Sequence, residues 1–382
     1  MPAVFCITLG IFSIVTTEIL PIGLLTAIAR EFGISDGTAG LTMTLPGLLA
    51  ALAAPVVTTA TGRIDRRTML CALVLLLAFA DFLAAVAPVY PVLLASRVLV
   101  GLVIGAFWSI GAGLAPRLVA PERAGVAKAV IFSAVPLGSV LGVPAGTFLG
   151  ELAGWRTAFV VLGVFTTVLW LAMLACVPAL PAREVTSAAV LTGLLRRRSV
   201  RTGLLVTFLV VLAHFGTYTY VTPFLFGVTR LDPGSVTVFL LVYGLAGVGG
   251  NFLAGSTVDR RPRRTLAVAA AGLAAATALL PVLGGNPVGA LVLLIVWGLA
   301  YGAVPVCSQT WFAQAAPEAP EAATVVFTAS FQATIAAGAW LGGLVVDASS
   351  PSVVLVLGGV VAGVVVSLML RRPVNRPGVT PR

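Results

Sequence analysis

The chain contains 382 residues, of which 59% are hydrophobic and only 9% are charged. A water-soluble domain has about a quarter charged residues, so this composition excludes a soluble globular protein. The net charge of +10 would suggest a nucleic-acid partner in a soluble protein, so the placement of the basic residues decides what it means.

Apolar stretches long enough to cross a bilayer recur along the whole chain. A hydrocarbon core of ~30 Å requires about 20 helical residues, and a backbone in lipid satisfies its own hydrogen bonds as a helix. The sequence therefore predicts an all-α membrane protein with twelve transmembrane helices. The expected spans are residues 3–29, 37–60, 68–87, 90–118, 125–150 and 156–177, then 202–227, 235–258, 265–283, 287–315, 322–346 and 351–370.

Basic residues are concentrated on one side of the predicted membrane. Of the 23 lysines and arginines, 19 fall in the tail and in the loops on the side of both termini, whereas only Arg30, Arg156 and Arg230 fall on the opposite side. The positive-inside rule then places both termini in the cytoplasm. We attribute the basic charge to topology in a bacterial inner membrane and to contact with anionic lipids, and we expect no nucleic-acid partner.

Three short motifs occur twice in the chain, with separations between 194 and 197 residues. The pairs are "TGRIDRRTML" at 61–70 with "STVDRRPRRTL" at 256–266, "GLVIGA" at 101–106 with "GLAYGA" at 298–303, and "APERA" at 120–124 with "APEAPEAA" at 316–323. A direct repeat of six helices keeps both halves in one orientation and is typical of alternating-access carriers. It predicts four regions: an N-terminal six-helix bundle at 1–177, a cytoplasmic linker at 178–200, a C-terminal six-helix bundle at 201–372 and a cytoplasmic tail at 373–382.

Several separated segments carry the signatures of a known family. These are "ASRVLVGLVIGAFW" and "PLGSVLGVPAGTFLGELAGWR", together with "TTEILPIGLL", "AFWSI", "GWRTAF" and "AHFGTYTYVTPFL". The first two resemble the fourth-helix signature and the fifth-helix antiporter signature of the major facilitator superfamily. The others are similar to the bacterial sugar-efflux and chloramphenicol-resistance type permeases of its drug:proton antiporter branch. The resemblance implies a monomeric carrier of two rocking six-helix bundles that uses the proton gradient and no cofactor.

Four ionisable residues inside the predicted spans are candidates for function, because such groups are costly in lipid. They are Glu18, Asp81, Arg97 and His214. Asp81 and Arg97 are expected ~10 Å below the same end of helices three and four, at ~1.5 Å of rise per residue. We predict that they are partners. Their pairing would either hold the two helices together as a neutralised ion pair or take part in proton coupling.

Glu18 is the strongest candidate for a proton site, because it lies near the middle of the first span. Desolvation by the surrounding Ile, Val and Leu residues favours the protonated form of a carboxyl group, and a nearby Arg97 would oppose it. The resemblance implies the same role, since antiporters of this branch use a first-helix acid in coupling. The alternative is a structural, hydrogen-bonded glutamate.

A polar stripe on the seventh helix is predicted by His214, Tyr218 and Thr222, which recur every four residues. His214 is expected either to take protons or bind a hydroxylated substrate, or to be satisfied by a neighbouring helix. Further candidates for the substrate site are Trp108, Gln309 and Gln332.

Two groups of residues are candidate gating elements. In the charged loops, an acid faces a helix N-terminus and arginines bridge to the other bundle, although plain topological anchoring is the alternative. In the fifth helix, small residues and a proline predict a tight but flexible interface between the bundles, with ordinary packing as the alternative. The candidates are Asp65, Arg66, Arg67, Asp259, Arg260, Arg263 and Arg264 in the loops, and Gly138, Gly142, Pro144 and Gly146 in the helix.

These features predict a secondary active transporter rather than an enzyme. It would export a small neutral or amphipathic solute, such as a drug-like compound, in exchange for protons; sugar or nucleoside efflux is the alternative. A membrane-embedded enzyme would need His, Cys or carboxylate groups clustered at one depth, and the chain has a single histidine. A sensor without flux would normally carry a soluble signalling domain, and the tail "RRPVNRPGVTPR" is short for one.

Overall fold

The computed structural model describes residues 1–60, 64–111, 115–120, 123–181, 188–258 and 261–370. Regular structure in these residues is helical, and they contain twelve spans long and apolar enough to cross a membrane. This confirms the predicted all-α, twelve-span fold. The helices are α1 Pro2–Phe32, α2 Asp36–Ala39, α3 Leu41–Ala60, α4 Arg66–Ala85, α5 Tyr90–Gly111, α6 Ala115–Leu118, α7 Ala124–Ala153, α8 Trp155–Cys176, α9 Ala188–Leu195, α10 Arg198–Tyr218, α11 Val221–Gly227, α12 Pro233–Gly255, α13 Pro262–Leu283, α14 Pro287–Ala315, α15 Pro320–Ala348 and α16 Pro351–Leu370.

Local sequence determines where many of these helices begin. Each helix from α12 to α16 begins with a proline, whose fixed φ suits the first turn and whose missing N–H has no intrahelical partner to lose. The carboxyl group of Asp232 caps α12 by accepting hydrogen bonds from the backbone N–H and the hydroxyl of Ser235. These bonds hold the pKa of Asp232 below its usual range.

The seventh span is interrupted, although the sequence predicts one continuous helix over 202–227. Its first helix, α10, ends at Tyr218, and α11 begins at Val221. Pro223 explains the break, because its ring clashes with the carbonyl group of Thr219 in a continuous helix and it has no N–H to bond that group. The fourth span, expected to reach residue 118, is described as α5 and the short α6, with residues 112–114 outside the described part of the chain.

The spans form two halves with similar internal packing. In the first half, α1 packs on α7, α3 on α5 and α4 on α8. In the second half, α12 packs on α14, α13 on α14 and α16, and α10 on α15 and α16. The halves meet where α3 packs on α15 and where α7 packs on α12. The exact domain limits at residues 177 and 201 stay predictions.

The repeat is visible in how closely the helices approach. Gly105 and Gly302 are 197 residues apart in the sequence, as are Ala50 and Gly247. A Cβ atom at Gly105 would overlap the carbonyl oxygen of Ala50, and one at Gly302 would overlap that of Gly247. The same backbone contact therefore joins α5 to α3 in the first half and α14 to α12 in the second.

The two halves are sealed together at one end of the helices. We call the end that carries the α1–α2 and α15–α16 connections the arginine-poor end, and the opposite end the arginine-rich end. At the arginine-poor end, the carboxyl group of Asp347 accepts hydrogen bonds from the Ser35 hydroxyl (2.7 Å) and the Gly37 N–H (2.9 Å). Nearby, the Thr222 hydroxyl of α11 donates to the carbonyl oxygen of Ile22 in α1 (2.8 Å). These contacts connect the first half directly to the second.

Candidate functional site

A buried arginine ties three helices of the first half together. The Arg97 side chain is fully buried on α5. Its Nε donates to the carbonyl oxygen of Thr42 on α3 (3.0 Å). Its Nη2 donates to the carbonyl oxygens of Thr17 (3.0 Å) and Glu18 (3.1 Å) on α1. The guanidinium group is therefore held by main-chain oxygen atoms.

Prolines make two of these oxygen atoms available. Pro21 and Pro46 follow Thr17 and Thr42 by four residues, within α1 and α3. A proline has no N–H, so it cannot form the helical hydrogen bond to the carbonyl group four residues earlier. Arg97 supplies donors to both of these carbonyl groups.

Asp81 reaches this cluster through a threonine. Its Oδ2 accepts a hydrogen bond from the Thr17 hydroxyl (3.3 Å), and its carboxyl group interacts electrostatically with Arg97 without a contact within 4.0 Å. The predicted direct pair is thus corrected to an indirect one, with Thr17 between the charges. Asp81 Oδ1 and Arg97 Nη1 have no hydrogen-bond partner within the described part of the chain.

Glu18 lies where the two halves meet. Its side chain is only 7% exposed, and its carboxyl group interacts with Arg97 of the first half and with the amide of Gln332 on α15. Tyr301 of α14 also interacts electrostatically with Glu18. The structure therefore brings together Glu18 and Arg97, named for proton coupling, with Gln332, named for substrate binding.

Aromatic rings stack in the second half beside this junction. The His214 ring is stacked with those of Tyr301, Tyr218 and Tyr243, at centroid distances of 3.2, 5.0 and 6.5 Å, and Tyr218 and Tyr243 are stacked with each other at 4.6 Å. The Trp297 indole N–H donates to Nδ1 of His214 (3.0 Å). A neutral His214 therefore carries its proton on Nε2. This geometry favours the alternative in which a neighbouring helix satisfies His214 over proton uptake by it.

The predicted polar stripe on the seventh span is not continuous. Thr222 lies beyond the helix break, and its hydroxyl bonds to α1 of the other half instead of lining a site with His214 and Tyr218. Of the remaining candidates, Trp108 packs against the hydrophobic core of the first half, and Gln309 is exposed on α14.

The glycine run of α7 packs inside the first half, which corrects its predicted place between the bundles. The glycines that face α1 are Gly138, Gly142 and Gly146. Helix α7 contacts the other half at Val140, where Gly244 of α12 packs against it. Val140 is two residues from the nearest glycines, about 200° around the helix, so it faces the opposite way. Pro144 is buried in the same helix.

The charged loop before α4 contacts its own half. Asp65 caps α4 by accepting from the Thr68 N–H (3.2 Å), and its other oxygen accepts from the Leu180 N–H (2.9 Å). Arg67 donates to the carbonyl oxygen of Leu174 at the end of α8 (2.6 Å). These bonds attach the loop to the start of the predicted linker, and a gating contact with the other half stays a prediction.

The remaining loop candidates are only partly covered by the structure. Arg66 begins α4, and its Nη1 contacts the Met69 sulfur (3.3 Å). Arg263 and Arg264 lie in the first turn of α13. Asp259 and Arg260 lie outside the described residues.

Twelve spans in two similar halves, with buried charges at their junction, define a multi-pass membrane carrier. The sequence profile of the Major Facilitator Superfamily matches residues 5–329, and the chain belongs to this superfamily. The superfamily consists of transporters, which confirms both the predicted family and the prediction that the chain is not an enzyme.

Two bacterial proteins show what the chain is similar to in sequence. It is 36% identical over 348 residues to the "Transcription regulatory protein OpdE" of Pseudomonas aeruginosa, covering 90% of this chain and 87% of that protein. It is 32% identical over 348 residues to the "Purine ribonucleoside efflux pump NepI" of Escherichia coli, with the same coverage of 90% and 87%.

Solved structures show the same fold at low sequence identity. A bacterial homologue of the human lysosomal transporter Spinster, in an inward-facing and occupied conformation, superposes with a TM-score of 0.74 at 15% identity, covering 96% of this chain and 95% of that one. The human organic anion transporter MFSD10 gives a TM-score of 0.71 at 16% identity, covering 96% and 99%.

Sequence reasoning missed residues that the structure places at the junction and the seal. Tyr301 and Tyr243 belong to the aromatic stack, Trp297 makes T-shaped contacts with it, and Asp347 belongs to the seal. A signal for Tyr301 was present in the repeat, because "GLAYGA" has a tyrosine where "GLVIGA" has Ile104.

Proposed function

We propose that this chain exports purine ribonucleosides, or closely related neutral solutes, in exchange for protons. The observation that carries the proposal is the position of Glu18, a buried carboxyl group shared between Arg97 of one half and Gln332 of the other. Similarity to a protein named as a purine ribonucleoside efflux pump supports the class of substrate. The stacked rings beside Glu18 support it independently, since aromatic side chains bind planar bases by stacking.

A carboxyl group at this junction can link proton binding to rocking of the halves. When ionised, Glu18 attracts the Arg97 charge and interacts with the Gln332 amide across the interface. Protonation removes the charge and weakens both interactions, so the proton favours a different arrangement of the halves. A ligand that prefers one arrangement and a proton that prefers the other shift the same equilibrium in opposite directions, and exchange follows.

The positive-inside rule supports an arginine-rich end in the cytoplasm, with both termini there. The seal formed by Asp347 and Thr222 would then close the outer side. In this arrangement a solute reaches the junction from the cytoplasm, and export requires the Asp347 contact to break.

Transport into proteoliposomes with an imposed pH gradient tests the proposal. The panel should contain purine and pyrimidine ribonucleosides, pentoses and drug-like compounds, with a proton ionophore as control. We expect accumulation of purine ribonucleosides that the ionophore abolishes. Accumulation of drugs or pentoses but no nucleoside would contradict the proposed substrate, and nucleoside flux indifferent to the ionophore would contradict exchange for protons.

A regulatory protein that binds a ligand without transporting it is the second candidate. It is favoured by the 36% identity to a protein named as a transcription regulator. The same assay separates the two functions. Ligand binding by the purified protein, without accumulation in any gradient, would support the regulatory function and contradict transport.

A further inference from the structure

Two acceptor oxygens at the junction have no hydrogen-bond partner in the described part of the protein. They are Oε1 of Glu18 and Oε1 of Gln332. Both side chains are more than nine-tenths buried, at 7% and 5% exposure. A buried acceptor without a donor is destabilising, because it has lost its hydrogen bonds to water without replacement. Two such atoms on interacting side chains, one from each half, therefore indicate a place where a ligand supplies donors.

An aromatic ring with a partly exposed side chain lies beside these oxygens. Tyr301 stacks on His214 and makes a T-shaped contact with Phe215, with ring centroids 3.2 and 5.9 Å apart. Its side chain is only partly buried. The hydrogen bond from Trp297 to His214 fixes the ring behind it. Tyr301 is thus a rigidly backed surface near Glu18.

We infer that these groups form a subsite for a purine base that presents two neighbouring N–H donors on one edge. The base stacks on the partly exposed ring of Tyr301, its ring N1–H donates to Oε1 of Glu18, and a 2-amino group donates to Oε1 of Gln332. This inference rests on the proposed function and adds the part of the solute that is recognised and the direction in which it points.

The donor pattern distinguishes purines that share ring size and ribose. Guanosine offers both the N1–H and the 2-amino group, inosine offers only the N1–H, and 1-methylinosine offers neither. Stacking on Tyr301 is nearly the same for all three, so differences in affinity report the two hydrogen bonds. Ribose hydroxyls are the other possible donors, and 2′-deoxyguanosine and 3′-deoxyguanosine separate that source from the base edge.

Displacement of radiolabelled guanosine from the purified full-length wild-type protein tests this subsite. We expect guanosine to bind about ten-fold more tightly than inosine, and inosine about ten-fold more tightly than 1-methylinosine, because each loss leaves a buried acceptor unpaired. Both deoxyguanosines should bind like guanosine. Equal affinities for guanosine and 1-methylinosine, or large losses with the deoxy compounds, would overturn the inference.

Variants assign the two contacts to residues. Gln332→Met keeps the length of the side chain and should remove the preference for guanosine over inosine. Tyr301→Leu should weaken binding of all three purines by about ten-fold, because the stacking ring is lost, and Tyr301→Phe, which keeps the ring, should recover most of that affinity. An unchanged preference in Gln332→Met would overturn the assignment of the 2-amino group. If a variant does not fold, the ligand series on the wild type still decides.

The proposed function and this inference fail in different ways. If the wild type binds and transports no nucleoside, the proposed function is contradicted. If it transports purine ribonucleosides without discriminating between guanosine and 1-methylinosine, the proposed function stands and the base-edge subsite is overturned.

Discussion

Arg97 shows how a charge is accommodated in the apolar interior of this protein. Its three hydrogen bonds all go to main-chain carbonyl groups, on α1 and α3. Pro21 and Pro46 prepare two of these acceptors, so the cost of two prolines within helices is offset by the donors of one arginine. The cluster holds α1, α3 and α5 in a fixed relation and thereby positions Glu18.

Replacing this arginine should destabilise the first half. We expect Arg97→Gln to lower the stability of the purified protein by about 1–3 kcal/mol, because buried carbonyl groups lose their donors. Thermal unfolding in detergent measures the effect. Arg201→Gln, on the exposed side of α10, is the control and should leave the unfolding temperature unchanged. A wild-type unfolding temperature for Arg97→Gln would contradict the structural role.

The charges of Asp81 and Arg97 should be coupled through Thr17. In a double-mutant cycle, we expect Asp81→Asn and Arg97→Gln to have non-additive effects on unfolding temperature and transport, because both side chains bond to Thr17. The coupling should fall when the cycle is repeated in a Thr17→Val background. Additive effects in the starting background would show that the two residues act independently.

For individual residues, the sequence predicted which ionisable groups lie inside the membrane spans better than it predicted the contacts that these groups make. The cost of ionisable groups in lipid identified Glu18, Asp81 and Arg97 from residue type and depth alone. Depth along a helix does not specify rotation about its axis, so the sequence placed Asp81 directly against Arg97 and missed Thr17 between them. The same limit led to the glycines of α7 being assigned to the wrong neighbour.

The connection between α1 and α3 is held by the end of α15. Asp347 accepts from the N-cap residue Ser35 and from the N–H of Gly37, so one half caps a short helix of the other. Gly37 permits this approach, because a Cβ atom there would overlap the carbonyl oxygen of Gly343. The contact is therefore a specific seal between the halves and not general packing.

Removal of the Asp347 carboxyl group should open this end. We expect Asp347→Ala to shift the population towards separated halves by about ten-fold, since two hydrogen bonds to a charged acceptor are lost. Distances between spin labels at Val89 and Val288, exposed positions of the two halves, would measure the shift in a background without native cysteines. The control is Asp232→Ala, which removes a cap within one half. Identical distance distributions in both variants and the wild type would contradict the role of Asp347.

Close helix packing should make the stability of the protein sensitive to substitution of one glycine of α14. We expect Gly302→Ala to destabilise the protein by about 2 kcal/mol, because the added methyl group overlaps the backbone of Gly247 on α12. Gly363→Ala is the matched control, since nothing lies within 4 Å of a Cβ atom there, and it should be neutral or slightly stabilising. Equal unfolding temperatures for the two variants would contradict the inferred contact.

Elements were predictable from hydropathy to within a few residues, with one instructive exception. The seventh span was expected as a single helix because its apolar character is continuous, yet Pro223 breaks it and frees Tyr220 to donate to the carbonyl oxygen of Ala339 (2.6 Å). Proline within a span does not by itself reveal a break, since α1, α3, α7 and α14 contain prolines and stay helical.

The two halves share one architecture but have different interiors. Pro46 in the first half corresponds to Tyr243 in the second at the same separation of 197 residues, and Ile104 corresponds to Tyr301. The first interior is polar around Arg97, and the second is an aromatic stack. We propose that the proton binds in the polar half and the planar solute in the aromatic half, with Glu18 and Gln332 at the boundary. A repeat found in the sequence predicted the symmetry of the two halves.

The most direct test of this account is whether a nucleoside gradient moves protons through Glu18. Proteoliposomes loaded with guanosine and a pH-sensitive dye are diluted into nucleoside-free buffer, and internal pH is followed. For the wild type and for the control Glu151→Gln, an exposed acid of α7, we predict internal acidification as guanosine leaves. For Glu18→Gln we predict no pH change, while exchange of labelled guanosine continues, because the amide keeps its shape but cannot titrate. Guanosine efflux by the wild type without acidification, or acidification by Glu18→Gln equal to the wild type, would contradict the account.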